Sequence, residues 1–241
     1  MANKVSLIIP AYNEENWIRR PLESAKRQFY APDEIIVVAN GCTDRTAETA
    51  SEYTPHVYEI EGRGVSRAKN FGIERATGNL ISFLDADTEM SGGVINEMVA
   101  ALSVGKYVGG KAKIKPDSND PAARAFFAYV NFCNALPIYL SNTTDALKGL
   151  PQSGAGAFIF SDISTLARIK DRYGSVFNEE LQTMEDVDIT KKMRELGKLG
   201  FLQSPVITST RRFENEGYAR AFLNDFFQYF SPKGKNRAVY R

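Results

Sequence analysis

Short apolar runs rich in β-branched residues alternate, over the first third of the chain, with polar turns and stretches of helical period. Val5-Ser6-Leu7-Ile8-Ile9 is the first such run, closed by Pro10. Asn13 is placed to cap a helix carrying Glu14 and Glu15 in its first turn, where acids suit the positive end of the dipole. Ile18, Leu22, Ala25 and Phe29 follow at helical spacing. Pro21 predicts either a kink or a late helix start with Pro21 near its first turn. A second strand is expected over 34–38. Ala39-Asn40-Gly41-Cys42 then turns, and Thr43 or Asp44 caps a helix reaching about Tyr53. A third strand (57–60), a Gly62-Arg63-Gly64 loop and a helix from Val65 to Ala76, ended by Gly78, come next. The fourth strand runs through Leu80-Ile81-Ser82-Phe83-Leu84 and stops at Asp85-Ala86-Asp87.

This β-α-β-α-β-α-β order predicts an α/β fold with a parallel sheet covered by helices. Ligands of such sheets bind beyond the carboxyl ends of the strands. Pro10-Ala11-Tyr12-Asn13-Glu14, Ala39-Asn40-Gly41 and Asp85-Ala86-Asp87 should therefore gather along one edge. The second half is less regular. It predicts a helix over 93–102, a strand over 107–114, an aromatic helix over 122–136 and a long mobile loop over 141–156. A strand (157–160), a helix (185–196), a strand (206–209) and an aromatic helix (218–230) complete it. Ser231 onward is a basic tail with Lys233, Lys235, Arg237 and Arg241.

A length of 241 residues without repeats or a low-complexity linker suits one domain. Its expected parts are a ligand-binding half (1–105), a second half (106–215) and a C-terminal helix with the tail (216–241). The net charge of +1 gives no global pull toward nucleic acid or bilayer. Cys42 and Cys133 lack metal-type spacing, and the one histidine, His56, excludes a His-rich metal site. The N-terminus has no signal-peptide pattern, and no apolar run approaches the roughly 18 residues of a membrane span. A cytoplasmic location is the expectation.

Two carboxylates one residue apart at a strand end repel unless a cation is shared or water screens them. Asp85 and Asp87 are therefore candidate ligands for a divalent metal holding a phosphate. The competing reading is a solvated turn. Likewise Glu185, Asp186 and Asp188 read either as a catalytic group or as ordinary acidic decoration of a helix start.

The motifs together resemble those of family 2 glycosyltransferases. Pro10-Ala11-Tyr12-Asn13-Glu14 is similar to that family's opening segment, Val38-Ala39-Asn40-Gly41-Cys42-Thr43-Asp44 to its second, and Ala68-Lys69-Asn70-Phe71-Gly72 to its third. Asp85-Ala86-Asp87 resembles its metal-binding Asp-x-Asp, and Glu185-Asp186-Val187-Asp188-Ile189 its catalytic segment. The resemblance spans Val5 to about Arg212. It implies a GT-A fold: a Rossmann-like, mostly parallel sheet with helices on both faces and a smaller mixed acceptor-side region. It also implies metal-dependent, inverting transfer of a sugar from a UDP- or GDP-linked donor to an acceptor hydroxyl, with Mn²⁺ or Mg²⁺ as cofactor. Asp186 would then be the base and Glu185 an acceptor-orienting group. Asp87 would be the direct metal ligand, with Asp85 on ribose or a bound water. Pro10, Ala11, Tyr12, Glu14, Asn40, Lys69, Asp85, Ala86 and Arg212 would contact the nucleotide sugar.

Three departures matter. Ala39 and Asn40 replace two acids, and Asn40 can still hydrogen-bond a base edge. Lys69 replaces an arginine, keeping the charge without the planar fork. The stretch Thr208-Ser209-Thr210-Arg211-Arg212 lacks the family's metal-binding histidine, which leaves Arg211 or Arg212 to neutralise the departing diphosphate. Arg63 and Arg67 are further candidates for the diphosphate, and Gln152-Ser153-Gly154 for the acceptor. The aromatic helices read as core packing, or with the basic tail as a surface docking on a membrane, which would suit a lipid-linked acceptor. The competing functions are a nucleotidyltransferase and a nucleotide-sugar-binding protein without turnover. Against the former, Pro10-Ala11-Tyr12-Asn13-Glu14 lacks a Gly-rich basic signature.

Overall fold

The computed structural model describes residues 3–147, 156–181, 183–218, 220 and 223, and for Arg212, Asn215 and Glu216 the backbone alone. The strands are β1 (Val5–Ala11), β2 (Glu34–Asn40), β3 (Val57–Ile60), β4 (Leu80–Leu84), β5 (Thr88–Met90), β6 (Gly109–Pro116), β7 (Phe158–Asp162) and β8 (Leu199–Thr208). The α-helices are α1 (Arg19–Lys26), α2 (Thr46–Ser51), α3 (Val65–Arg75), α4 (Val94–Ser103), α5 (Pro121–Ser141), α6 (Ile163–Tyr173), α7 (Glu185–Leu196) and α8 (Arg211–Glu216).

The described strands form one eight-stranded sheet in the order β3-β2-β1-β4-β7-β6-β8-β5. β3, β2, β1 and β4 run parallel, as alternating strands and helices require. The sense changes at β7, which is antiparallel to both β4 and β6. β6 pairs parallel with β8, and β5 closes the far edge antiparallel to β8. The parallel sheet expected from the sequence thus holds for the first half, and the second half is mixed.

Every residue of β1 is buried, so this strand is covered on both faces. Its alternation divides the core. Val5, Leu7, Ile9 and Ala11 pack in one cluster with Ile18, Leu22 of α1, Ala50 of α2, Met98 of α4 and Phe126 and Phe127 of α5. Ile8 faces a second cluster with Ala68 of α3, Leu166 of α6 and Ile189 and Met193 of α7. Each fully buried aliphatic side chain contributes roughly 1.5–3 kcal/mol. These two layers hold the strand ends of the site in fixed register.

Some elements differ from the sequence reading. α1 starts late, at Arg19, with Pro21 in its first turn, and Ile18 rather than Asn13 precedes it. Asn13 instead adopts φ 53°, and its Oδ1 accepts the Thr43 N–H at 2.8 Å, tying the end of β1 to the turn after β2. β5, α6 and α8 were not anticipated. α6 is capped by Asp162, whose Oδ1 accepts the Thr165 N–H at 2.9 Å. β8 is longer than expected, and α5 continues through Pro137 to Ser141. Of the expected loop over 141–156, residues 145–147 form a short 3-10 turn. The Gln152-Ser153-Gly154 candidates lie outside the described residues. So do the basic tail and most of the expected helix over 218–230. Among the described residues, no helix is long and apolar enough to cross a membrane.

Candidate active site

The ends of β1 and β2 build the first wall. Pro10↔Val38 and Ala11↔Ala39 are register partners, so Tyr12 and Asn40 emerge side by side. Gly41 follows at φ 68°, and a Cβ there would lie 2.5 Å from the Gly62 carbonyl oxygen. Only glycine lets the Gly62-Arg63-Gly64 loop close this tightly on β2. The loop brings the Arg63 guanidinium 4.6 Å from the Tyr12 ring centroid, a cation–π contact at the rim. Arg67 donates to the Glu61 carbonyl and so braces the loop. Asn40 is buried, and its Nδ2 donates to Gly64 O at 2.7 Å. Its Oδ1 is buried with no hydrogen-bond partner among the described residues. A buried acceptor without a donor costs free energy, and a nucleobase N–H would satisfy it.

The second wall is the end of β4. The Asp85 N–H donates to Ala157 O at 3.1 Å, which joins the Asp-Ala-Asp turn to the strand entry at β7. Thr88 Oγ1 lies 3.4 Å from Asp87 Oδ1 and 2.9 Å from Thr208 Oγ1. Ala86 is buried beneath the pair. Two carboxylates on one strand end are oxygen donors of the kind Mn²⁺ or Mg²⁺ prefers. Among the described residues, no group of three or more His, Cys, Asp or Glu side chains converges to enclose a metal. The donor set therefore fits an ion whose remaining ligands come from a diphosphate and water.

A buried charge cluster closes the site from the other side. Lys69, on α3, is 1% exposed, and its Nζ lies 2.9 Å from Asp186 Oδ1 and 3.2 Å from Glu185 Oε1 at the start of α7. Lys69 was expected on a phosphate; the structure commits its ammonium to these two carboxylates and sets it 5.1 Å from the Phe177 ring centroid. Burial works against the Lys69 ammonium, but the charges of Asp186, Glu185 and Asp85 outweigh it and hold its pKa above the ordinary value. Asp186 is also buried, which pushes its pKa up to about 6 against the pull of Lys69, with Glu185 and Asp85 adding to the rise. The neighbouring carboxylates hold the Lys69 ammonium charged and add to the effect of burial, the larger cause, in raising the proton affinity of Asp186. Met184, at φ 72°, turns the chain into α7 and delivers Glu185 and Asp186 inward.

Two participants, Lys111 and Gly156, were missed by sequence reasoning, and a third, Arg211, was named there only as an alternative to Arg212. Lys111 of β6 is fully buried, and its Nζ lies 3.4 Å from Asn134 Oδ1. Burial lowers its pKa to about 8, opposed by Asp186 and helped by Lys69 and Arg194. The sequence carries no distinct signal for it, since Lys111, Lys113 and Lys115 alternate along β6 with Ala112 and Ile114 between them. Gly156 abuts Asp186, where an added Cβ would lie 2.9 Å from Oδ2. Arg211 places Nη2 2.5 Å from Glu14 Oε1 and 3.3 Å from Asp87 Oδ2, linking the first wall to the second. Arg212, the arginine carried over from the resemblance, has its side chain outside the described residues.

The model of the family described as glycosyl transferase family 2 matches residues 6–158, which include both walls. GlyA, a glycosyltransferase of Streptococcus pneumoniae, is 32% identical over 117 residues, covering 44% of this chain and 17% of its own length. The glycosyltransferase AglE of Haloferax volcanii is 31% identical over 137 residues, 53% of this chain and 45% of its own. These matches thus span less than half of either relative. Among solved structures, S. aureus TarS with UDP-GlcNAc superposes at TM-score 0.63 with 18% identity, over 95% of this chain and 68% of that one. Glucosyl-3-phosphoglycerate synthase of Mycobacterium tuberculosis, with Mg²⁺ and UDP, gives 0.61 with 16% identity over 97% and 82%. Such likeness fixes the fold, which is of the GT-A type. With a family model covering well over half the chain and this site at the strand ends, the chain belongs to glycosyl transferase family 2.

Proposed function

We propose that the chain is a metal-dependent, inverting glycosyltransferase that moves a sugar from a UDP- or GDP-linked donor to an acceptor hydroxyl. The observation that carries this reading is the buried Lys69–Asp186 pair, close enough to the Asp85-Ala86-Asp87 strand end for the charge of Asp85 to act on both groups. A titratable carboxylate with a pKa near the working range, facing a diphosphate-binding edge, is what acceptor activation needs.

In this reading the nucleobase lies against Tyr12 in the pocket formed with Pro10, Ala11 and Glu14, and its imino N–H donates to Asn40 Oδ1. Uracil and guanine both offer such a donor. Asp85 and Ala86 meet the ribose side, and Asp87 with Asp85 would hold Mn²⁺ or Mg²⁺. When bound, the ion supplies charge neutralisation of the departing diphosphate. Asp186 takes the proton of the acceptor hydroxyl while that oxygen bonds to the anomeric carbon from the face opposite the diphosphate. The bond from that carbon to the diphosphate oxygen breaks, and the configuration inverts. Glu185 orients the acceptor. Exposed apolar side chains on α5, among them Phe132, Leu136 and Tyr139, support a lipid-linked acceptor presented at the cytoplasmic face of a membrane.

The test is a thermal-shift screen of UDP- and GDP-sugars with Mn²⁺, with EDTA, and on Asp87→Ala. A donor raises the melting temperature of the wild type in Mn²⁺ and not in EDTA. Asp87→Ala loses the response. Stabilisation indifferent to both EDTA and that substitution would remove the metal from the reading. Donor binding without release of nucleoside diphosphate, over a panel of sugar, glycan and lipid-linked acceptors, would favour a binding protein instead.

A further inference from the structure

Arg211 is the first residue of α8, and its side chain joins two carboxylates that the sequence separates widely. Nη2 lies 2.5 Å from Glu14 Oε1, beyond the end of β1, and 3.3 Å from Asp87 Oδ2, beyond the end of β4. The guanidinium carbon also sits 4.9 Å from the ring centroid of Trp17, the one tryptophan of the chain. The neighbouring backbone is anchored independently. Asp117 Oδ1 accepts from the Thr210 N–H and hydroxyl at 3.0 Å, and Arg20 bridges Asp117 and Glu89. Arg20 packs on the same tryptophan at 5.3 Å. The base of Arg211 is therefore fixed, while its side chain is 36% exposed at the mouth of the site.

A guanidinium fork suits a carboxylate and a phosphate equally well. Here one fork is shared by two acids, and the second oxygen of Glu14 is buried with no hydrogen-bond partner among the described residues. Asp87 is also the carboxylate through which a divalent ion would be held. A cation already paired with Asp87 competes with that ion for the same oxygen. A diphosphate arriving with the ion offers the guanidinium a more highly charged partner. Metal and nucleotide would therefore help one another in.

We propose that Arg211 is the diphosphate-binding arginine of this site and that, before the nucleotide arrives, it is the counter-ion of Asp87. Divalent ion and nucleoside diphosphate enter together as Arg211 passes from Glu14 and Asp87 to the phosphate. This rests on the reading of Asp85 and Asp87 as metal ligands. Because binding linkage is reciprocal, nucleotide and metal raise each other's affinity by the same factor.

The experiment measures Mn²⁺ binding by electron paramagnetic resonance, without nucleotide and with UDP or GDP, for wild type, Arg211→Ala and Arg211→Lys. Tryptophan emission with Mg²⁺ and nucleotide is a second readout. Losing a charged hydrogen bond changes affinity by about tenfold or more. Arg211→Ala should bind Mn²⁺ alone about tenfold tighter than wild type, yet bind nucleotide with Mg²⁺ about tenfold more weakly. Arg211→Lys should fall between them. Trp17 emission should change in wild type when Mg²⁺ and nucleotide are added together, and not in Arg211→Ala. Equal Mn²⁺ affinity of wild type and Arg211→Ala without nucleotide would overturn the proposal and leave the metal reading standing. Absence of Mn²⁺ binding in all three proteins, with nucleotide present, would overturn both.

Discussion

Lys69 Nζ and Asp186 Oδ1 lie 2.9 Å apart in a pocket where both residues are buried. A lone buried ion pair seldom adds stability over an apolar pair of the same shape, because both charges lose water. Here the ammonium also serves Glu185 at 3.2 Å, and Phe177 packs against it. The arrangement holds a carboxylate at the start of α7 in a fixed direction with its proton affinity raised. It is the arrangement that the proposed role of Asp186 as base requires, and it has consequences that can be measured.

Asp186→Asn should lower the rate of sugar transfer by roughly 10²–10⁴-fold while leaving nucleotide-sugar affinity within a few-fold, since a general base contributes about that much. In the wild type, transfer should fall as pH drops below about 6, where Asp186 takes up its proton. The stability linkage has a definite sign. The folded pKa is raised above the ordinary 3.8, so this group's contribution is fully present below that value and is lost as pH rises through about 6. The Asn variant lacks the term, so its unfolding free energy relative to wild type should improve between pH 4 and pH 7. Urea unfolding at the two pH values, with transfer assays alongside, checks both. A variant with wild-type turnover would rule Asp186 out as the base.

Lys69→Met should destabilise the fold, because it leaves Glu185 and Asp186 buried without their cation. Breaking one side of a buried pair costs about 3–5 kcal/mol. The deficit should be smaller at pH 5 than at pH 8, since protonation relieves the stranded carboxylates at the lower pH. Chemical denaturation of the variant across that range provides the measurement. A deficit independent of pH would mean that the carboxylates do not rely on Lys69.

Much of this site was legible because its parts are local. Asp85-Ala86-Asp87 ends an apolar run, so its position alone made it a candidate. Asp186 lies at an acidic helix start, and the resemblance to the family's segment was needed to single it out. Partnership across the fold was not legible. The Lys69–Asp186 bond spans 117 positions and the Arg211–Glu14 bond 197. No pattern along the chain states that a lysine of α3 turns inward to α7 rather than outward to a phosphate. The same holds for α6, where Arg168, Lys170, Asp171 and Arg172 thin out the apolar period and its identity depends on packing Leu166 and Ile169 into the second core cluster. β5, three residues long, is defined by its pairing with β8 and carries no periodic signal of its own.

Gly156→Ala should separate positioning from binding. A Cβ at this point would lie 2.9 Å from Asp186 Oδ2 and 3.1 Å from its Cβ, so one of the two chains must shift. Small displacements of a reacting group cost about 10²-fold in rate. The expected result is a kcat lowered by that order with the nucleotide-sugar Kd unchanged. Steady-state kinetics paired with calorimetric titration of the donor would resolve the two. Wild-type kcat would show that Asp186 tolerates displacement and would weaken its assignment as the base.

Asn40 offers the sharpest test of nucleobase recognition. Its Nδ2 is engaged by Gly64 O at 2.7 Å, and its buried Oδ1 has no partner among the described residues. Replacing it with alanine removes the acceptor and also releases the Gly62-Arg63-Gly64 loop that carries Arg63 onto Tyr12. Asn40→Asp keeps an acceptor, loses the donor to Gly64 and adds a negative charge beside that carbonyl. If Oδ1 reads the base, Asn40→Ala should weaken UDP or GDP binding by about tenfold, the order of one hydrogen bond to a buried group. Asn40→Asp should then stay closer to wild type than Asn40→Ala does. Calorimetric titration of both nucleotides into the three proteins orders them. If the two variants lose affinity equally, the loop bond to Gly64 matters and the base is read by another group.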